Sequence, residues 1–123
     1  MPLHRRIRVS TPALLVLALA MLVAGCQSSR GDEAAKAPPA SGVREVTARD
    51  LVFTPRAIQV PVGTTVTWHF QDGRVPHNVQ GDGFKSANVT EGTYQHRFDR
   101  PGNYTYVCTV HAGMTGRVEV VGG

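Results

Sequence analysis

The stretch from Asn103 to Val120, NYTYVCTVHAGMTGRVEV, decides the fold. Up to Cys108 aromatic residues alternate with β-branched ones, and a second alternation of apolar and charged residues surrounds Val118. A period of two is typical of half-buried β-strands, because successive side chains of a strand point to opposite faces. The stretch therefore predicts two consecutive strands, joined by a short loop that carries a cysteine, a histidine and a methionine.

The same period of two occurs at two places further upstream. The alternating positions are Val66, Trp68, Phe70, Tyr94, His96 and Phe98. Turn-forming sequences separate the runs, among them Pro61-Val62-Gly63 and Asp99-Arg100-Pro101-Gly102. Since no helical period stands out in residues 43–123, we predict an all-β domain, built as an antiparallel sandwich or barrel.

The charge balance argues against a nucleic-acid-binding protein. The chain carries 13 Lys and Arg residues against 9 Asp and Glu, a formal net charge of +4. Three of the bases, Arg5, Arg6 and Arg8, lie in the first 25 residues, so the rest of the chain holds 10 bases against 9 acids. This near-neutral remainder offers no basic stripe for a phosphate backbone. With 123 residues and two cysteines, a large multidomain enzyme and a disulfide-stapled mini-protein are also excluded.

Residues 1–25 have the features of a secretory signal peptide. Three arginines precede an apolar run of 13 residues from Pro12 to Ala24. As a helix this run would span about 20 Å, short of the ~30 Å hydrocarbon core of a bilayer. The residues from Leu22 to Cys26, LVAGC, resemble the lipobox of bacterial lipoproteins. That resemblance implies cleavage before Cys26 and lipidation of its sulfur, hence a membrane-anchored lipoprotein outside the cytoplasm, in the periplasm or on the outer cell surface.

Residues 26–42 are predicted to form the lipidated cysteine and a disordered linker. From Gln27 to Gly42 the chain has no Leu, Ile, Val or aromatic residue, so these 16 residues cannot build a hydrophobic core. We expect a flexible tether with an average end-to-end distance of about 20–24 Å. The folded domain is expected to occupy residues 43–123.

The loop between the last two predicted strands carries three metal-binding side chains. Cys108, His111 and Met114 form a Cys-x2-His-x2-Met pattern, and Met114 is the only methionine after the signal segment. If Cys26 is lipidated, Cys108 has no partner for an internal disulfide. Thiolate, imidazole and thioether suit copper, and a trigonal His₂Cys site with a long axial Met is the blue-copper arrangement. The loop thus predicts three of the four ligands of one copper ion that cycles between Cu(I) and Cu(II).

The fourth ligand must come from another part of the chain, where His69, His77 and His96 are the candidates. His77 is favoured because the preceding Pro76 stiffens the approach with its fixed φ, and because His77 lies in a turn region. His69 lies in the middle of a predicted strand and is better explained as a surface histidine. His96 shares a strand face with two aromatic residues and ranks second as a ligand.

Three stretches carry a resemblance to a known family. They are Val75-Pro76-His77-Asn78-Val79, the run from Pro101 to Cys108, and the Cys-x2-His-x2-Met loop itself. Together they resemble the plastocyanin and amicyanin group of cupredoxins, over about Val43 to Val121, and the short spacing before Met114 is closer to amicyanin. The resemblance implies a Greek-key β-sandwich, a type 1 copper site at one end, and one-electron transfer without enzymatic catalysis.

The resemblance also implies roles for residues around the metal. The backbone N–H of Asn78 would bind the sulfur of Cys108, and its side chain would tie the two ligand loops together. The ring edge of His111 would lie at the surface, and redox partner proteins would dock around it. The docking residues would be Val75, Pro76, Val110, Ala112, Gly113 and Met114. We further expect Arg74 and Arg117 to flank this patch, and the protein to be a monomer.

Three functions stay open at the level of the sequence. The favoured one is a type 1 copper protein that carries single electrons between extracytoplasmic redox partners at the membrane surface. The second is a copper carrier or scavenger that binds and delivers the metal without redox cycling. The third is a secreted β-sandwich adaptor without metal. The absence of Met-rich or His-rich tracts in the sequence favours the first over the second.

Overall fold

The computed structural model describes residues 34–122, which fold into two β-sheets. The expected signal peptide, the lipidated Cys26 and the first part of the expected tether lie outside the described residues. The strands are β1 (Ala40–Ser41), β2 (Glu45–Arg49), β3 (Val52–Thr54), β4 (Ala57–Pro61), β5 (Thr64–Gln71), β6 (Gln80–Gly81), β7 (Phe84–Lys85), β8 (Glu91–Phe98), β9 (Gly102–Val107) and β10 (Thr115–Val121). No helix within residues 34–122 has the length and apolar character needed to cross a membrane.

The two sheets confirm the prediction of an all-β sandwich. The larger sheet has the strand order β1-β4-β10-β9-β6-β7, and the smaller has the order β3-β2-β5-β8. The pairing is more varied than the expected antiparallel arrangement, because β4 runs parallel to both β1 and β10, and β2 runs parallel to β5. Parallel neighbours need a crossover connection, and here the chain between β1 and β4 passes through β2 and β3 of the smaller sheet.

The core lies between the sheets and is centred on Trp68 of β5. The inward residues Val66, Trp68 and Phe70 of β5 are buried, as the alternating sequence predicts. The ring of Trp68 lies 5.3 to 6.4 Å from the rings of Tyr94, Phe84, Phe98 and Tyr106, measured between centroids. Removal of a buried aromatic side chain typically costs about 3–5 kcal/mol of stability. This aromatic cluster therefore fixes the two sheets against each other.

The chain before Val43 is more structured than its composition indicates. Ala40–Ser41 pairs with β4 as an edge strand, and Ala34 is buried although the predicted tether includes it. The guanidinium of Arg117 donates hydrogen bonds to the carbonyls of Ala35 (2.8 Å) and Ala37 (3.0 Å). Main-chain hydrogen bonds need no large apolar side chain, so the composition of this segment carries no signal for them. The ordered domain therefore begins before the predicted boundary.

The topology brings two loops together at one end of the sandwich. One loop follows β5, and the other joins β9 to β10. A bridge between His77 and Val89 anchors the first loop, and Gln80 of β6 pairs with Val107 of β9. The last pairs of β9 and β10 end at Val107 and Thr115, directly beside the second loop. All four predicted copper ligands lie on these two loops.

Replacement of Gly116 by Ala should lower the free energy of unfolding by about 1–3 kcal/mol, as overpacking of a core typically does. Gly116 lies opposite Tyr106 in the ladder of β9 and β10, and a Cβ atom there would overlap the Tyr106 ring. Chemical denaturation followed by Trp68 fluorescence measures the effect. Gly122→Ala is the control, since nothing lies within 4 Å of a Cβ at that position. Equal stability of the two variants would contradict this packing.

Candidate metal centre

The first loop meets the second at the sulfur of Cys108. The backbone N–H of Asn78 donates to Cys108 Sγ at 3.5 Å, and His77 Nδ1 lies 4.0 Å from the same sulfur. His77 is fully buried and Cys108 is 4% exposed. The thiolate is the form of cysteine that binds metal. Two residues some 30 positions apart in the chain thus present a thiol and an imidazole nitrogen to each other.

The side chain of Asn78 ties the two loops together. Its Oδ1 accepts from the backbone N–H of Thr109 at 2.8 Å, and its Nδ2 donates to Thr109 Oγ1 at 2.6 Å and to Asn88 Oδ1 at 2.7 Å. Asn78 is 2% exposed, so little water competes for these bonds. The loop that carries His77 is therefore held in register with the residue that follows Cys108.

The second loop is a compact turn that closes on itself. The N–H of Cys108 donates to the carbonyl of Met114 at 2.9 Å, and the N–H of Met114 donates to the carbonyl of His111 at 3.3 Å. Gly113 has a φ of 81°, a conformation that favours glycine. Met114 is 2% exposed, so its thioether lies inside the sandwich, whereas His111 is only half-buried.

The outer hydrogen bonds of the two imidazoles decide which nitrogen is left for a metal. His77 Nε2 lies 2.7 Å from Asp72 Oδ2, and His111 Nε2 lies 2.9 Å from the carbonyl oxygen of Pro76. An ionised carboxylate and a carbonyl only accept, so both Nε2 atoms must carry the proton. In a neutral imidazole this leaves the Nδ1 lone pair free on each ring. The two rings lie 5.1 Å apart, measured between centroids.

Asp72 was not a candidate from the sequence, where the Asp-Gly pair predicts only a turn. The turn is present, since the N–H of Val75 donates to the Asp72 carbonyl at 3.0 Å. The hydrogen bond from His77 lowers the pKa of the Asp72 carboxyl, with a smaller contribution from the N–H of Asp50. The carboxylate therefore stays ionised and acts as an acceptor for His77.

The residues present fit a copper ion. With the distances typical of zinc, about 2.1 Å to nitrogen and about 2.3 Å to sulfur, a shared metal holds the two donor atoms at most about 4.4 Å apart. The separation between His77 Nδ1 and Cys108 Sγ is 4.0 Å. Within residues 34–122, no group of three or more His, Cys, Asp or Glu side chains is arranged to hold an ion as it stands. The proposed set contains three side chains of that kind, two imidazoles and a thiol, together with a thioether, and its shortest donor-to-donor separation is the 4.0 Å between His77 Nδ1 and Cys108 Sγ.

The other two candidate histidines, His69 and His96, make their contacts with other residues. His69 is on the outer face of the smaller sheet, with Nε2 3.8 Å from a carboxylate oxygen of Glu45. His96 packs between two rings, stacked on Phe84 at 4.8 Å and edge-on to Phe98 at 4.8 Å. Burial among these rings lowers the pKa of His96. His96 is thus a packing residue, and the structure places His77 beside the thiol.

Arg117, which was expected to flank a docking patch, has its guanidinium engaged within the chain. It donates to the carbonyls of Ala35 and Ala37, and the residue is half-buried. The strand period put Arg117 on the outer face correctly, but gave no indication that an upstream segment covers this face. Arg74, in contrast, is exposed in the loop that carries His77.

A two-sheet sandwich with a buried thiol, two imidazoles and a thioether on two adjoining end loops defines a cupredoxin. A family model described as copper binding proteins of the plastocyanin/azurin family matches residues 40–121. The chain therefore belongs to this family, as the sequence motifs predicted, and its cofactor is one copper ion. Membership also confirms the expectation of an electron-carrying protein rather than an enzyme.

Individual relatives agree with this assignment. Amicyanin-alpha of Methylorubrum extorquens is 34% identical over 99 residues, which cover 72% of this chain and 79% of the relative. Halocyanin of Natronomonas pharaonis is 43% identical over 79 residues, covering 57% of this chain and 48% of the relative. Among solved structures, a purple cupredoxin from Nitrosopumilus maritimus superposes with a TM-score of 0.59 at 30% identity, covering 64% of this chain and 100% of the other.

Replacement of Asn78 by Ala should destabilise the metal-free domain by about 1–3 kcal/mol, because the buried Asn78 side chain makes three hydrogen bonds that alanine cannot make. Chemical denaturation of the metal-free protein measures the effect. Asn103→Ala is the matched control, since Asn103 is exposed on β9. If the two variants unfold at the same denaturant concentration, the side chain of Asn78 does not hold the loops together.

Proposed function

We propose that His77, Cys108, His111 and Met114 hold one copper ion, and that the protein carries single electrons between extracytoplasmic redox partners at a membrane surface. The observation that carries the proposal is the meeting of His77 Nδ1 and Asn78 N–H at the Cys108 sulfur, with separations of 4.0 and 3.5 Å. Thiolate and thioether donors suit Cu(I), and two imidazoles keep Cu(II) acceptable. When bound, copper supplies a one-electron couple.

The chain contributes a donor set that is largely shielded from water. His77, Cys108 and Met114 are each less than 5% exposed, so water has little access to them. The set carries one negative charge, on the thiolate, so the loaded site bears one positive charge or none. Burial disfavours the charged state, which raises the reduction potential. With four protein donors around the ion, no position stays open for a substrate, as a catalytic metal site normally requires.

The surface beside His111 supports brief docking of a partner. Val110 is 37% exposed, and Pro76, Ala112 and Gly113 are also exposed around the half-buried histidine. Small, mostly apolar contact areas are usual for transient redox complexes. The exposed Arg74 lies in the same loop as Pro76 and biases the choice toward partners with acidic surfaces.

We propose Cys26 as the site of lipidation, on the strength of the LVAGC sequence after an apolar run. A location outside the cytoplasm suits both this sequence and the family. The acyl chains would restrict the domain to the membrane surface, since each buried CH₂ contributes about 0.8 kcal/mol. Metabolic labelling with a fatty acid tests this step: the full chain should incorporate the label, and a Cys26→Ser chain should not.

Cys108→Ser should abolish the intense blue colour that the wild-type domain acquires with Cu(II), because the colour depends on the thiolate. Visible absorption during titration with one equivalent of Cu(II) measures it. Thr105→Ser, an exposed position on β9, is the control and should stay blue. A colourless copper complex of the wild type would refute the proposal. Transfer of copper to an acceptor that outpaces electron exchange would favour the copper carrier instead.

Met114→Leu should keep copper bound and raise the reduction potential, because Cu(II) loses the thioether donor more than Cu(I) does. Met114→Gln places an oxygen donor at the same point, which favours Cu(II), and should lower the potential. Voltammetry of the two loaded variants against the wild type gives both shifts. Shifts in the same direction would show that residue 114 does not donate to the metal.

A further inference from the structure

Two hydrogen bonds fix the main chain at Asp72, which carries the carboxylate. It directly follows β5, and its own N–H donates to the carbonyl of Thr90 at 3.3 Å while its carbonyl accepts from Val75 at 3.0 Å. Both main-chain groups are therefore paired, and the side chain leaves the main chain in a set direction. The side chain itself is 16% exposed, so it is largely shielded from solvent.

One oxygen of this carboxylate receives two donors from two different loops. Asp72 Oδ2 lies 2.7 Å from His77 Nε2 and accepts the N–H of Asp50 at 3.0 Å. Asp50 and Leu51 have φ values of 52° and 62°, and they form the turn between β2 and β3. Residues other than glycine rarely adopt a left-handed backbone conformation. In this turn the Asp50 N–H points toward Asp72. The carboxylate thus joins this turn to the imidazole of His77.

The acceptor on His77 differs from the acceptor on the second imidazole. His77 is fully buried and faces a charged carboxylate, whereas the half-buried His111 faces the neutral carbonyl of Pro76. A carboxylate that accepts from the outer nitrogen of an imidazole fixes the tautomer and the ring orientation, and makes the inner nitrogen a stronger donor. The inner nitrogen of His77 is the one that lies 4.0 Å from Cys108 Sγ.

We propose that Asp72 is a positioning residue, which holds His77 with Nε2 protonated and Nδ1 facing Cys108, and which lowers the reduction potential of the site through its negative charge. This inference rests on the proposed copper site. A fixed negative charge close to one ligand stabilises Cu(II), with the higher charge, more than Cu(I). The carboxylate therefore opposes the increase in potential that burial produces.

The first test uses the metal-free protein and needs no copper. Long-range ¹H–¹⁵N NMR at one neutral pH reports which nitrogen of His77 carries the proton. We expect a single Nε2–H tautomer in the wild type and in Asp82→Asn, and a mixture of tautomers in Asp72→Ala. Asp82 is exposed in the turn between β6 and β7, so Asp82→Asn is the control for the loss of one surface charge.

The second test separates the hydrogen bond from the charge. Asp72→Asn keeps an acceptor oxygen at almost the same place but removes the charge, so it should raise the potential and keep the Nε2–H tautomer. Asp72→Ala should raise the potential and weaken copper binding by about 10- to 100-fold. If a variant loses ten times more affinity for Cu(II) than for Cu(I), its midpoint potential rises by about 59 mV. Voltammetry and competition with a chelator give the two quantities.

The outcomes distinguish this inference from the proposed function. If the wild type turns blue but Asp72→Ala matches Asp82→Asn in tautomer and potential, Asp72 has no positioning role and the inference is overturned. If the wild type does not turn blue, the proposed copper site fails, and the NMR result alone decides whether Asp72 sets the tautomer. Should Asp72→Ala not fold, the potential of Asp72→Asn decides instead: a raised potential supports the inference, and an unchanged one overturns it.

Discussion

The hydrogen bond from the Asn78 N–H to the Cys108 sulfur is the interaction on which the site depends. It joins two loops that are 30 residues apart in the chain, at the single point where an imidazole and a thiol must meet. A 3.5 Å contact to sulfur is weak by itself. The side-chain bonds of Asn78 to Thr109 reinforce it, so the separation between the loops is determined by three contacts around one residue.

The position of the thiol depends in turn on the aromatic core. Tyr106 lies two residues before Cys108 on the same face of the chain, and its ring packs edge-on against Trp68 at 5.3 Å and against Phe53 at 4.9 Å. Because close-packed interiors resist small displacements, the end of β9 cannot shift without disturbing these contacts. The domain thereby holds the thiol of Cys108 on a close-packed support. A carrier of electrons benefits from this rigidity, since both oxidation states must be bound by one arrangement.

Much of this arrangement could be predicted from the sequence, for reasons that particular residues make clear. The alternation around Trp68 and around Tyr106 predicted two strands that the structure contains, because period two reports directly on burial. The choice of His77 over His69 and His96 rested on Pro76 and a turn, which are local signals.

The role of Asp72 could not be predicted from local signals of this kind. Its partners Asp50 and His77 come from separate loops, and a carboxylate before glycine carries the same sequence signal whether it faces solvent or an imidazole. The edge strand at Ala40 could not be predicted for a related reason, because main-chain hydrogen bonds between strands do not depend on the side-chain composition.

The two imidazoles of the proposed site have the same chemistry but different surroundings. His77 is buried and hydrogen-bonded to the carboxylate of Asp72, so its surroundings would influence the relative stability of Cu(II) and Cu(I). His111 is half-buried and bound to a carbonyl, so its surroundings leave it near the surface where a partner can approach. A change beside His77 should therefore alter the driving force of electron transfer, and a change beside His111 should alter docking. Since Asp72 and Pro76 lie on the same loop, the proposed copper site would have both properties controlled by a single segment of chain, while the core holds the thiol.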